Sequence, residues 1–135
     1  DDAGFESLIL ASTYAGMVIS QTGTSLPHGL GYNLTYYHGI PHGKATAVFM
    51  AELLKMHKNR AKVERVLEHL DFSSIQALKD FLNCLIGEIA ITEEHVKVYA
   101  HTMYANKAKI QNHPFDVSVE ELESMIRGSV KVHSS

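Results

Sequence analysis

The chain has 135 residues, the size of one compact domain, with 45% hydrophobic and 20% charged residues, the balance of a soluble globular protein. Twelve basic residues face fifteen acidic ones, a net charge of -3, so there is no basic surplus to neutralise nucleic-acid phosphates. No apolar run reaches the roughly 18 residues of a membrane span, and the single cysteine, Cys84, excludes an internal disulfide and points to a reducing cytoplasm.

Helical periodicity runs through nearly the whole chain. Phe5, Leu8, Ile9, Ala15 and Ile19 recur at helical spacing and stop at the polar breaker Gln21-Thr22-Gly23-Thr24-Ser25. After an irregular segment, Pro27 to Gly43, a second stretch runs from Ala45 to His57 with Ala47, Val48, Ala51 and Leu54 on one side. Val63, Val66, Leu67 and Leu70 form a third stripe. Ser73 with Gln76 predicts a capping box for a helix through Ile75, Leu78, Leu82, Leu85 and Ile86, which Gly87 ends. Within it, Cys84 reads as a small core residue. Thr92 caps a helix to about Lys109, Asn112-His113-Pro114 breaks the chain, and Ser118 with Glu121 opens the last helix. Ile89-Ala90-Ile91 is too short to demand a sheet, and Lys131 to Ser135 reads as a frayed end. The predicted fold class is all-α, with about six or seven helices in a single domain spanning 1–135.

Chemistry concentrates where the amphipathic rhythm fails. Three of the nine histidines, His28, His38 and His42, fall within fifteen residues, and two Pro-His-Gly triplets stand fourteen residues apart. Proline favours a helix start, so each triplet places its histidine in a first turn. On one straight helix fourteen residues span roughly 21 Å. Two nitrogens on one ion lie only about 3–4 Å apart, given metal–nitrogen bonds of about 2.1 Å. A shared metal therefore needs the chain to turn back, which Gly39 and Pro41 permit. The spacing allows a shared site without demanding one; two helix-end histidines are the plainer alternative. Pro41 argues against a helical His38–His42 pair, leaving His38 as a loop residue lining a cleft. His57, His69, His95, His101, His113 and His133 read as solvated or capping residues, and Glu52 as a helix-surface residue. Gly29-x-Gly31 follows no strand and lacks a third glycine, so it is no dinucleotide fingerprint.

The blocks Ala11-Ser12-Thr13-Tyr14-Ala15-Gly16, Ser25-Leu26-Pro27-His28-Gly29-Leu30-Gly31-Tyr32 and Gly39-Ile40-Pro41-His42-Gly43-Lys44-Ala45 resemble the iron-containing (group III) alcohol dehydrogenases. The resemblance extends over nearly the whole chain. It implies a dehydroquinate synthase-like C-terminal helical domain, working with an N-terminal domain that binds NAD(P). It also implies a catalytic Fe²⁺, or Zn²⁺, held by one Asp and three His. The two later histidines of that set match His28 and His42; the Asp and first His belong to a helix upstream of the family's Ala-Ser block. Tyr32 stands where many members carry a further histidine near the nicotinamide, so a tyrosine hydroxyl would replace that histidine as hydrogen-bond donor. The implied reaction is alcohol/aldehyde interconversion by hydride transfer, with the metal polarising the substrate oxygen.

The chain opens on Asp1-Asp2 without a Met, which fits an excised C-terminal part. The expectations are an inactive isolated chain, an apolar surface where further helices would pack, and self-association into homo-oligomers. Two other readings stay open: a helical interaction module that has lost the chemistry, and the related glycerol-dehydrogenase type with Zn²⁺ and a polyol.

Overall fold

The computed structural model describes residues 2–134. Among them run nine helical segments: α1 (Asp2–Thr22), α2 (Leu26–His38), α3 (His42–Ala47), α4 (Met50–Met56), α5 (Arg60–His69), α6 (Ile75–Ile86), α7 (Glu93–Ala105), α8 (Lys107–Gln111) and α9 (Val119–Ser129). The fold is all-α, as the periodicity predicts. The segments outnumber the six or seven expected because two predicted helices are broken. A turn at Val48 and Phe49 separates α3 from α4. Asn106 ends α7, and its side chain accepts the Lys109 N–H to start α8.

The core follows from spacing. Leu26, Leu30 and Leu34 repeat every fourth residue along α2, so they share one face, and each is at most 1% exposed. They pack with Phe49, with Val96, Tyr99, Ala100 and Met103 of α7, and with Leu122, Met125 and Ile126 of α9. Leu54, Val63, Leu67 and Leu78 form a satellite cluster under α4, α5 and α6. Arg60 caps the end of α4 by donating to the carbonyls of Leu54, Lys55 and His57.

Several local expectations shift. The cap of α6 is Ser74, which accepts the Ala77 N–H at 3.0 Å, one residue after the predicted Ser73; Gln76 instead bonds Asp80. The Ser118–Glu121 capping box forms as predicted. Cys84 is exposed, not core, because α6 buries only Leu78 and Ile86 and turns Cys84 and Leu85 outward. Lys131–His133 is not frayed: it is a strand (β2) pairing in parallel with Ala90–Thr92 (β1), and the Lys131 N–H bonds the Ile89 carbonyl at 2.9 Å. Ser135 lies outside the described residues, as does Asp1. Glu52 is less of a surface residue than predicted. It is largely covered, and it accepts hydrogen bonds of 2.8 Å from both Lys55 and Lys79.

Helix α1 contributes nothing to the core. None of its residues is buried, although Phe5, Leu8, Ile9, Leu10, Tyr14, Met17, Val18 and Ile19 are large and apolar. Its hydroxyls are absorbed locally: Ser7 and Thr13 each bond the carbonyl one turn back at 2.9 Å. An 18-residue window of α1 has a mean hydropathy of 1.2, so by length and composition alone the helix is apolar enough to cross a membrane, although polar residues interrupt it.

His113 departs furthest from expectation. It is 8% exposed, and neither ring nitrogen has a partner in the protein. Burial, reinforced by nearby His57, pushes its pKa below the ordinary histidine value. The unfolded chain therefore binds more protons than the folded one as the pH falls below about 6.5, and stability falls with it. Thermal melts should show Tm dropping between pH 7.5 and 5.5, and His113→Leu should flatten that slope. An unchanged slope in the variant would remove His113 as its source.

Candidate metal centre

Two helix starts build the site. Ser25 precedes α2, with Pro27 in its first turn, so His28 leaves the helix near its N-terminus. α2 ends at Gly39, whose φ of 66° a residue with a Cβ adopts only with strain. The Gly39 N–H bonds Thr35 O at 3.1 Å and the Ile40 N–H bonds Leu34 O at 3.3 Å, an αL closure that reverses the chain. Pro41 then caps α3, and His42 is its first residue. α3 runs back along α2 in close contact: a Cβ built on Gly31 would lie 3.0 Å from the Ala45 carbonyl oxygen.

This reversal brings the two predicted histidines together. The rings of His28 and His42 have centroids 5.4 Å apart and an interplanar angle of 61°. Tyr32, one turn beyond His28, stacks on His42 at 5.4 Å and 13° and is half exposed. Burial lowers the His28 pKa, and His42 and Lys109 lower it further, so the ring is neutral at neutral pH, the form that ligates a metal. No group of three or more His, Cys, Asp or Glu side chains gathers among the described residues; the pair is what this chain brings to the site.

Lys109, from α8, is the neighbour that sequence reasoning missed. Its ammonium bonds the Thr24 hydroxyl and lies 5.6 Å from the Tyr32 ring centroid. Eighty-five residues separate Lys109 from Thr24, and no local pattern predicts such a meeting.

His38 does not join the pair. It continues the buried α2 stripe after Leu34 and shares a 2.7 Å hydrogen bond with the Tyr99 hydroxyl. His95 stacks on Tyr99 at 5.3 Å and meets the His38 ring edge-on at 5.0 Å. His95 is thus no plain solvated residue: with His38 and Tyr99 it locks α2 to α7. Burial, then His95, lowers the His38 pKa, and burial raises that of Tyr99.

Residues 1–130 match the C-terminal domain of the Fe-containing alcohol dehydrogenase family. The chain belongs to that family. An iron-containing alcohol dehydrogenase from Thermotoga maritima superposes with a TM-score of 0.78 and 32% identity, over 90% of this chain and 33% of that one. A second solved iron-containing alcohol dehydrogenase gives 0.79 at the same identity and coverage. A 4-hydroxybutyrate dehydrogenase from Clostridium kluyveri is 22% identical over 78% of this chain and 32% of its own. The chain thus spans about a third of the length of these relatives. The family's C-terminal domain accounts for the all-α fold, and its match includes α1, which places that helix within a helical domain.

Proposed function

We propose that this chain is the metal-holding catalytic domain of an NAD(P)-dependent iron-type alcohol dehydrogenase that interconverts alcohols and aldehydes. The observation that carries the proposal is the convergence of His28 and His42, from two helix starts, in a domain of this family. Two imidazoles suit Fe²⁺ and Zn²⁺ alike. They fit as part of a ligand set completed from outside the chain. A divalent cation held there would supply Lewis-acid polarisation of the substrate oxygen.

The chain's own residues do the rest. Burial keeps the His28 ring neutral and available. Tyr32 holds the His42 ring by stacking, and its half-exposed side chain would offer its hydroxyl as hydrogen-bond donor to a substrate oxygen. The cofactor-binding surface belongs to an N-terminal nucleotide-binding domain of a longer, cytoplasmic chain. The uncovered apolar length of α1 supports this reading, because exposed patches beyond a few hundred Å² seek a partner. By the same argument the 135-residue chain by itself forms homo-oligomers. Substrates are small alcohols and aldehydes, hydroxy acids included.

The test compares two polypeptides. The longer parent should reduce NAD(P)⁺ with an alcohol, lose that activity to a chelator and regain it with Fe²⁺ or Zn²⁺. The 135-residue chain should turn over no NAD(P)H and should sediment above monomer mass. Parent activity indifferent to chelation would overturn the proposal; a native polypeptide no longer than this chain would favour an interaction module.

A further inference from the structure

Between Met103 and Val117 the chain passes through α8 and a loop, and His113 is the one buried side chain along it. α8 itself buries nothing. Ile110 and Phe115 are only partly buried against the core, and the Phe115 ring lies 4.2 Å from the His113 ring. The same segment is tied to Thr24. The Lys109 ammonium bonds the Thr24 hydroxyl, and the Asn112 side-chain amide donates to the Thr24 carbonyl at 3.1 Å. Thr24 directly precedes the cap of α2, whose first turn presents His28.

A pin made of imidazole holds only while it is neutral. Neither ring nitrogen of His113 has a hydrogen-bond partner, so nothing in the closed segment compensates a proton there. The charges around it oppose one. His57 and Lys58 come from the end of α4, with the His57 ring 5.7 Å and the Lys58 ammonium 5.3 Å from the Phe115 ring. Lys107 and Lys109 lie on α8. Asp116, the segment's one acid, is exposed and makes no bond to the ring. Burial and His57 accordingly keep the His113 pKa below the ordinary histidine value. Opening the segment restores the ordinary value, and with it the proton. This segment opens more readily than the body, because little apolar surface holds it down.

We propose that His113 is a proton-sensitive latch. Neutral, it holds α8 and the following loop on the body. Protonated, it releases residues 106–116 as a unit, and the two bonds to Thr24 go with them, loosening the first turn of α2. Acid thereby withdraws support from the helix end that presents His28. The release is local, unlike the global loss of stability with acid, and it does not depend on the dehydrogenase reading. An ordinary histidine pKa of about 6.5 in the open form sets its size: the open population rises about tenfold between pH 7.5 and 5.5.

Amide hydrogen exchange in the longer parent protein reads the release, with rates corrected for intrinsic exchange and reclosing faster than exchange. The Ile110 and His113 amides bond Asn106 O at 3.1 Å and Ile110 O at 3.0 Å, and their protection should fall about tenfold from pH 7.5 to 5.5. The Gly29 amide, which bonds Ser25 O at 3.1 Å in the first turn of α2, should lose protection with them. The Leu122 amide of α9 should keep its own. His113→Leu and His113→Gln, neither of which titrates, should abolish the pH dependence. Protection at Ile110 and His113 that is flat with pH in the wild type overturns the proposal, whether or not either variant folds. So does an unchanged slope in a folded variant, which would assign the proton to His57. A Gly29 amide that stays protected while Ile110 opens overturns it as well, and so does a Leu122 amide that opens in step, which would make the acid effect global.

Discussion

Alanine at His42 should strip the longer parent enzyme of most of its metal and lower its activity by a hundredfold or more, while leaving the melting temperature of the metal-free protein almost unchanged. Removing a partner that merely orients a metal ligand typically costs about 10- to 100-fold in affinity or activity, and loss of the ligand costs more. His42 is exposed and stands at the first position of α3, so it carries little packing. Exposed substitutions of this kind usually fall within about 0.5 kcal/mol. Metal content by elemental analysis, read beside a melt, separates the two roles. A variant that keeps its full metal complement would remove His42 from the ligand set.

The second large effect is at Gly31. A Cβ there would meet the Ala45 carbonyl at 3.0 Å for oxygen and 3.1 Å for carbon, both backbone atoms that yield only if α3 moves. Alanine regains about 0.5–1 kcal/mol of helix propensity against that contact, so Gly31→Ala should be close to neutral. Valine adds two methyl groups to a closed seam and should destabilise by about 1–3 kcal/mol. Because α3 carries His42, the same displacement should weaken metal binding by the site even below the melting transition. A Gly31→Val protein that is destabilised but binds Zn²⁺ with wild-type affinity would show that the α2–α3 seam does not set the histidine geometry.

Much of this molecule is legible along the chain, and the parts that are not share a cause. The leucine repeat of α2, the Ser118–Glu121 cap and the stop at Gly87 are local: each depends on residues within about one helical turn. The Pro-His-Gly triplets are local too, which is why His28 and His42 could be nominated from their spacing, though not joined. Tyr32 came forward only through its place in a family motif. Its stacking on His42 is a property of two helices.

What failed were particular judgements about what a face meets, although the stripe residues Ala51, Leu54, Val63 and Leu67 are buried as their spacing predicts. The apolar positions of α1 are those of a buried helix, yet they meet nothing in this chain. Cys84 sits in an apolar run, but α6 has neighbours on one side only. His113 looks like a turn residue and is buried, because Phe115, with its ring centroid 4.2 Å away, and the surrounding chain close over it. Ile89-Ala90-Ile91 became part of a sheet once the chain end arrived beside it. Local propensity and spacing determined which segments are helices, where they start and which histidines open them. Only the tertiary structure decided that Gly39 would fold α3 back onto α2, that His28 would meet His42, and that Lys109 would lie beside them, because such meetings depend on packing between segments that the chain separates by fourteen to eighty-five residues.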